Sequence, residues 1–259
     1  MFATRDLSPP VAAWQTEVLP DARVVDCGRE FDVLPADLTY ELALFTDAVT
    51  PVTYPDTWIP GDAPSHLQRY TGSNPVVGRP GQGSVTWTRQ YDPPVVIVKP
   101  RGRDLPESFL AFVLAEALLV CSLGLPEHPL GFFEGNYQEL QDIVGEPAPT
   151  ARLAGALFDA WIGLHTRPRY RGWANDHPEL LAAWEEAGRL LDDRIANLQD
   201  RRTSGSIDFL EATDIACSAI KHGHDLPSPY QALAVDRYRT EGAPYALRWV
   251  ERTINAVAD

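Results

Sequence analysis

The most hydrophobic stretch of the chain covers residues 109–123. Apolar residues occupy every face of the helix that this stretch would form, so the pattern predicts a helix buried on all sides. Pro106 suits the first turn of that helix, and Gly124 followed by Pro126 is typical of a helix end. The stretch is shorter than the ~20 apolar residues that a membrane span requires. We therefore expect a core helix and no membrane segment.

The chain after this core helix predicts amphipathic helices, each with one apolar face. Residues 151–164 form the first of them, and the apolar positions within residues 176–198 predict a second, long helix. The remaining predicted helices begin at Ser206, Ser228 and Pro244. One face of the 151–164 helix carries small residues and allows close helix packing, for which we expect the core helix as partner. The small-residue face consists of Gly155, Ala156, Asp159, Ala160 and Gly163.

The chain before the core helix is a mixture of short elements and Pro-rich loops. Residues 8–19 predict a helix, residues 23–27 a strand and residues 36–49 a helix, with a strand as the alternative for the last. Residues 84–91 alternate polar and apolar positions, whereas residues 95–98 are apolar throughout. Together they predict a hairpin whose second strand is covered on both faces.

These elements predict an α+β fold. A small N-terminal layer of loops and a β-hairpin is expected to pack on a mainly α-helical C-terminal bundle. We interpret residues 1–259 as a single domain, and the alternative is a division into residues 1–106 and 107–259.

The charge of the chain indicates its solvent environment and argues against one class of partner. The net charge is −14, and only Lys99 and Lys221 among the 22 basic side chains are lysines. Such a surface is typical of adaptation to molar salt, where the Debye length falls to ~3 Å and acidic self-repulsion is screened. A GC-rich genome is the alternative reason for replacing Lys by Arg. An acidic chain also argues against nucleic-acid binding, which needs a basic face.

A family resemblance follows from the same features. The Asp-rich loops, the arginines without lysines and the run of residues 125–135 resemble an uncharacterised protein family of halophilic archaea, over most of the chain. The resemblance implies no activity, so it transfers no functional residue.

The cysteines and the N-terminus predict a cytoplasmic protein. Cys27, Cys121 and Cys217 are far apart and form neither a disulfide framework nor a zinc motif, which is typical of a reducing compartment. No apolar segment that resembles a signal peptide follows Met1.

Four titratable residues are candidates for general acid–base catalysis. Glu116 lies on the apolar core helix, where a carboxylate must be paired, reach water or become neutral. Structural pairing with an arginine or a backbone group is the favoured alternative for Glu116. Asp159 lies within the small-residue face, and His128 and Glu134 flank the loop after the core helix. These four side chains would suit acid–base chemistry if they lined one cleft.

The run of residues 167–173 is the one basic and aromatic segment of the acidic chain. Arg167, Arg169 and Arg171 could bind an anion through bidentate hydrogen bonds, with Trp173 as a stacking surface. The favoured alternative is that these arginines pair with the protein's own acids in a loop between two helices.

His222, His224 and Asp225 form the most ligand-like cluster for a divalent metal. The alternative is a helix C-terminus at which cationic side chains complement the helix dipole. We favour the alternative and expect neither a metal nor a cofactor.

No motif in the chain is specific enough to name an activity. The favoured hypothesis is a non-catalytic interaction or regulatory protein whose partners are unknown, and a homo-oligomer is left open. The alternative is a hydrolase-type enzyme that acts on an anionic small molecule with the carboxylates of the central helices and the arginine-rich loop.

Overall fold

The computed structural model describes residues 1–71 and 83–258, except for the side chains of residues 257 and 258. The chain is 62% helical with a small N-terminal sheet region, which confirms the predicted α+β class. The strands are β1 (Phe2–Thr4), β2 (Arg23–Cys27), β3 (Ala48–Val49), β4 (Val85–Thr88), β5 (Tyr91–Asp92) and β6 (Val95–Val98). The helices are α1 (Pro9–Val18), α2 (Ala36–Leu42), α3 (Ser65–Thr71), α4 (Glu107–Ser122), α5 (Pro129–Phe133), α6 (Asn136–Val144), α7 (Pro147–Arg171), α8 (Pro178–Arg189), α9 (Asp192–Ala196), α10 (Leu198–Thr203), α11 (Phe209–Ile220), α12 (Asp236–Glu241) and α13 (Ala243–Ala258).

The chain divides into two compact units, and neither unit is one continuous stretch. The first unit consists of Met1–Tyr54, Arg69–His128 and Trp173–Trp184. The second unit consists of Pro55–Gln68, Pro129–Gly172 and Glu185–Asp259. Sequence neighbours such as His128 and Pro129 therefore belong to different units. In the described ranges, no helix combines the length and the apolar character that crossing a membrane requires.

The first unit contains a four-stranded sheet in the order β1, β2, β6, β4. β2 pairs in parallel with β6, and Arg23 lies opposite Val95. β4 and β6 pair antiparallel, with Val85 opposite Val98 and Thr88 opposite Val95. All four residues of β6 are buried, because this strand has neighbours on both edges and is covered on both faces. The predicted hairpin and its covered second strand are confirmed.

The predicted core helix is α4. Within the first unit α4 packs against α1, β4 and β6. Phe112, Leu118 and Val120 point in different directions around the helix axis, and each is at most 3% exposed. The indole nitrogen of Trp14 on α1 donates a hydrogen bond to the carbonyl oxygen of Ala115, at 3.0 Å. The burial of α4 on nearly every face confirms the prediction made from its pattern.

A buried carboxylate, Glu127, joins the hairpin to the chain that follows α4. Glu127 is 7% exposed and accepts hydrogen bonds from the hydroxyl of Thr88 at 3.0 Å and from the side-chain amide of Gln90 at 2.9 Å. The backbone N–H of Arg89 donates to its other oxygen at 2.5 Å. Because a buried charge needs such partners, this network stabilises the end of the hairpin.

The second unit is organised around α7, which packs most extensively against α11. A Cβ atom added at Gly163 would lie 2.9 Å from the Cβ and 3.1 Å from the Cα of Lys221. A glycine at this position therefore allows the end of α11 to lie directly on α7. Gly163 of the predicted small-residue face makes this close contact with the end of α11, and not with the core helix α4 that the sequence analysis expected as its partner.

The predicted helix over residues 36–49 is too long. α2 ends at Leu42, and the chain then pairs as β3 with β5. The backbone N–H of Asp47 donates to the carbonyl of Asp92, and that of Thr50 donates to the carbonyl of Gln90, both at 2.6 Å. These inter-strand hydrogen bonds replace the ones that a longer helix would have made.

The predicted long helix over residues 176–198 is also wrong, because the chain there forms α8, α9 and the start of α10. The first interruption follows Gly188, where a Cβ atom would lie 3.2 Å from the ring of His222. The backbone N–H of Leu191 donates to the carbonyl of Gly188, which closes a tight turn in place of the next helical turn.

Three other predicted helix limits are corrected by local hydrogen bonds and backbone geometry. α11 begins after Asp208, whose carboxylate accepts a hydrogen bond from the backbone N–H of Glu211, and does not begin at Ser206. The chain after Ser228 forms a short 3-10 turn before α12. α7 continues through Pro168 to Arg171, so the arginines predicted to lie in a loop are helical.

Candidate anion-binding groove

One face of α13 lines a groove in the second unit. Tyr245, Arg248, Arg252 and Ala256 follow one another at the three- and four-residue spacing that places side chains on one side of a helix. Trp249 adds a buried indole to the same side. The helix thus presents alternating aromatic and guanidinium groups along one line.

The two aromatic residues of α13 fix the opposite wall of the groove. The indole nitrogen of Trp249 donates to the carbonyl oxygen of Pro229 at 3.0 Å. The hydroxyl of Tyr245 donates to the carbonyl oxygen of Ala232 at 2.8 Å. Trp249 also stacks on Phe209 with a ring-centroid distance of 6.0 Å. These contacts attach the segment before α12 to α13 and leave a defined space between them.

The groove has a volume of about 770 Å³. Its lining contains four arginines and no Asp, Glu, His or Cys. The lining residues are Gln199, Arg202, Ser228, Pro229, Gln231, Ala232, Val235, Arg237, Tyr245, Arg248, Trp249, Arg252, Thr253 and Ala256. In a chain with a net charge of −14, this is a concentration of positive charge. Such a site attracts an anion.

Two of the four arginines are held by a carboxylate behind the lining. Arg237 and Arg248 donate to the two different oxygens of Glu241. The pKa of Glu241 lies below its usual value, chiefly because Arg237 donates to the carboxylate, with a further contribution from Arg248. The guanidinium of Arg248 also lies 5.8 Å from the ring centre of Tyr245. Each of these guanidinium groups keeps further N–H donors for a ligand.

Arg202 contributes a buried donor. Its Nη1 atom is buried, and so is the hydroxyl of the neighbouring Tyr230. Burial raises the pKa of Tyr230, and the hydrogen bond with Arg202 and the positive charge of that guanidinium oppose part of the rise. Tyr230 therefore stays a neutral donor at physiological pH.

Arg252 is exposed on α13 and has no ion-pair partner among the residues that the structure describes. A guanidinium without an internal carboxylate partner binds an incoming anion without first breaking a pair. Arg252 is therefore the arginine of the groove most available to a ligand.

Comparison with known proteins places the chain in a family. The model of a family of unknown function, DUF7089, matches residues 1–257. The chain belongs to DUF7089. No curated protein matches it, and no solved structure matches it. The expected membership of an uncharacterised family is confirmed, and the activity has to be inferred from this DUF7089 chain itself.

The four candidate acid–base residues of this DUF7089 chain are divided between the units. Glu116 and His128 belong to the first unit, whereas Glu134 and Asp159 belong to the second. His128 is 2% exposed, and its ring stacks on that of Tyr70 with a centroid distance of 4.3 Å. Glu116 is half-buried, and Asp159 and Glu134 are exposed. None of the four lines the arginine groove.

The arginines of residues 167–173 meet the end of α11. Arg167 Nη1 lies 3.4 Å from the carbonyl oxygen of Ile220, to which it donates. A Cβ atom on Gly223 would lie 2.7 Å from Nη2 of Arg171. Arg169 is exposed, and Trp173 is buried in the first unit with its ring 5.2 Å from that of Trp14. The three arginines of the run therefore belong to the second unit, whereas Trp173 belongs to the first.

The candidate metal ligands His222, His224 and Asp225 follow the end of α11. His224 Nε2 lies 3.1 Å from the carbonyl oxygen of Gly188, and its Nδ1 lies 3.5 Å from Asp192. The rings of His222 and His224 are 6.4 Å apart, and Asp225 is exposed. In the described ranges, no group of three or more His, Cys, Asp or Glu side chains is arranged to hold a metal ion.

The sequence reasoning missed the groove, although part of its signal was present. Tyr245, Arg248, Trp249 and Arg252 repeat at helical spacing, which marks a basic and aromatic face on α13. The remaining arginines come from α10 and α12, and no local pattern relates them to α13. The contiguous run of residues 167–173 is the more visible basic feature in the sequence.

Proposed function

We propose that this protein is a non-catalytic interaction or regulatory protein that binds an anionic ligand in the arginine groove. The observation that carries the proposal is the convergence of four arginines on one cavity in a strongly acidic chain. The exposed Arg252, which has no ion-pair partner among the described residues, supports it, because this guanidinium binds an anion without first losing an internal pair.

The chemistry of the lining favours binding over catalysis. General acid–base catalysis needs a side chain that titrates near the working pH, and nucleophilic catalysis needs an activated Ser, Cys, Lys or carboxylate. The groove is lined by arginines, amides, hydroxyls and apolar groups. The exposed Ser228 has no base in the lining that would activate it. Ligand recognition is therefore the function that this set of side chains supports best.

We further propose that the protein works in a cytoplasm of high salt concentration, as expected for a halophilic archaeon. The support is the net charge of −14 and the presence of only two lysines. Screening by molar salt reduces the repulsion between the protein's acids. Direct hydrogen bonds from guanidinium groups act at short range, so a bound anion is less affected by the same screening.

The anion-binding proposal is tested by isothermal titration calorimetry with three probes: tripolyphosphate, citrate and a ten-residue polyglutamate peptide. We expect at least one probe to bind with one-to-one stoichiometry. Replacement of Arg252 by Glu should weaken that binding at least tenfold, because attraction becomes repulsion. The matched control is Arg194→Glu, which reverses an exposed charge on α9 outside the groove.

Two results would overturn the proposal. One is the absence of binding by all three probes. The other is binding that Arg252→Glu and Arg194→Glu weaken equally, since this would reflect net charge and not the groove.

A further inference from the structure

We propose that the natural occupant of the groove is a short acidic segment of a partner protein that also carries a large apolar side chain. This inference rests on the proposed function and specifies the ligand class of the same site. It follows from the composition of the lining, from the way the protein already holds one of its own carboxylates, and from the size of the cavity.

The lining has an apolar part that a purely charged ligand would not use. Pro229, Ala232, Val235 and Ala256 line the groove together with the indole of Trp249. Val235 is a large hydrophobic residue that is 37% exposed. Covering such apolar surface is worth about 25 cal/mol per Å², so a ligand gains affinity if it brings apolar surface of its own. Inorganic phosphate and citrate bring none.

The polar part of the lining already displays carboxylate binding. Glu241 places one carboxylate between Arg237 and Arg248, each of which donates to a different oxygen. The exposed Arg252 lies one helical turn beyond Arg248 and offers the same fork of donors to a carboxylate from outside. An Asp or Glu side chain of a partner would thus repeat at Arg252 an arrangement that the protein makes internally.

The amides of the lining suit a peptide backbone. Gln199 and Gln231 are exposed at the groove, and each side chain offers both a donor and an acceptor. A peptide backbone presents the same alternation of N–H and C=O groups. A volume of about 770 Å³ lies in the range of ~300–1,000 Å³ that is usual for small-ligand sites. The groove therefore accommodates a few residues and not a folded domain.

These features of the lining favour an acidic peptide over other anions as the ligand. A polyphosphate or a nucleic-acid backbone would use the arginines but would leave the exposed Val235 without an apolar partner. A peptide with both acidic and apolar side chains uses both parts of the lining, as Arg clusters do when they recognise acidic motifs. Arginine and aromatic residues are also the types that contribute most to protein interfaces.

The experiment is a selection of peptides from a random 12-residue display library on the wild-type protein, after depletion on Arg252→Glu. We expect the enriched peptides to contain two or more Asp or Glu residues close to a Leu, Ile, Phe, Trp or Tyr. The most enriched peptide is then synthesised, and its dissociation constant is measured by fluorescence anisotropy. Two altered peptides accompany it, one with acids replaced by amides and one with the apolar residue replaced by Ser.

We expect each altered peptide to bind at least tenfold more weakly. Two exposed residues of the protein are also substituted. Arg252→Glu should raise the dissociation constant of the unaltered peptide at least tenfold, and Val235→Ser should raise it about fivefold. Both side chains are exposed, so these variants are expected to fold, and circular dichroism checks this. Arg194→Glu is the matched control and should leave the dissociation constant within twofold.

The outcomes distinguish this inference from the proposed function. If Arg252→Glu abolishes binding but Val235→Ser and the Ser-substituted peptide do not weaken it, the groove binds charge alone; the peptide inference then fails and anion binding stands. If the selected peptide binds Arg252→Glu as well as the wild type, both fail. Selection of neutral or basic peptides, or of none, overturns the peptide inference. If the wild type self-associates and Arg252→Glu removes this self-association, the occupant of the groove is a second copy of the chain. That result would also overturn the peptide inference.

Discussion

Gly163 on α7 lies directly against Lys221 at the end of α11. A Cβ atom at Gly163 would be 2.9 Å from the Cβ of Lys221 and 3.1 Å from its backbone nitrogen. Backbone atoms cannot move away as a flexible side chain can, so the two helices can remain at this distance only if residue 163 has no side chain. This contact sets the approach of the two helices that pack most extensively in the second unit.

The variant Gly163→Ala is therefore expected to destabilise the protein. The added methyl group forces α11 away from α7, at a cost of about 1–3 kcal/mol. The matched control is Gly155→Ala on the same helix, where a Cβ atom would meet nothing within 4 Å. That change should raise stability by up to about 1 kcal/mol, because Ala favours the helix over Gly. The measurement is urea denaturation, and equal effects of the two variants would contradict the contact.

Replacement of Glu127 by Ala should be among the most destabilising single changes in the first unit. The change removes the carboxylate that accepts hydrogen bonds from the Thr88 hydroxyl, the Gln90 side-chain amide and the backbone N–H of Arg89. Leaving several donors unpaired in a buried place costs about 3 kcal/mol or more. Glu186→Ala, an exposed carboxylate on α8, is the control and should change the free energy of unfolding by less than about 0.5 kcal/mol. Similar unfolding midpoints for both variants would refute a structural role for Glu127.

The stability of the first unit should fall at high pH. Burial raises the pKa of Tyr91 to about 12, whereas a tyrosine in the unfolded chain titrates near ~10. As pH rises above ~10, the unfolded chain loses this proton first. The stabilisation is therefore complete below pH ~10 and is lost between ~10 and ~12.

The variant Tyr91→Phe tests this pH dependence. Its free energy of unfolding should fall less steeply above pH ~10 than that of the wild type, because one proton fewer is released on unfolding. The variant also loses the hydrogen bond from the Tyr91 hydroxyl to the carbonyl of Thr39, so it starts from a lower stability. Tyr40→Phe, which removes an exposed hydroxyl, is the control. An unchanged slope in Tyr91→Phe would contradict the assignment.

Added KCl should stabilise the protein at neutral pH. Raising KCl from about 0.1 M to about 2 M screens the repulsion that accompanies a net charge of −14, and we expect the melting temperature to rise by about 5 °C or more. The gain should shrink near the isoelectric point of about 4.8, where that repulsion is small. Differential scanning calorimetry measures both. Full stability in dilute buffer without any gain from KCl would oppose the high-salt proposal.

The local parts of the fold are predictable because their causes are local. The apolar run of residues 95–98 and the turn before it specify a buried strand within a few residues, and α4 follows from one continuous hydrophobic segment. The parallel pairing of Arg23 with Val95 is not predictable in this way, since the two residues are far apart in sequence and no local pattern relates them. The break after Gly188 likewise lies against His222, which belongs to the turn after α11 and is distant in sequence.

The candidate site was less predictable than the fold. A sequence pattern identifies residues of one helix face, such as Arg248 and Arg252, but it does not show which other arginines approach them. Glu127 was overlooked for a similar reason, because its partners precede it by more than 35 residues and only folding brings them together. Buried polar groups are specified by tertiary structure, whereas the hydrophobic pattern specifies secondary structure.

The protein's shortage of lysine becomes more pronounced once it folds. Lys99 is 0% exposed, and its ammonium group donates to the carbonyl oxygen of Phe31 at 2.8 Å and lies 4.6 Å from the centre of the Phe31 ring. Burial and the nearby Arg101 lower the pKa of this amine. Reagents that acylate amines should therefore modify Lys99 only when the first unit opens. The extent of its acylation, read by mass spectrometry, would measure how often that opening occurs.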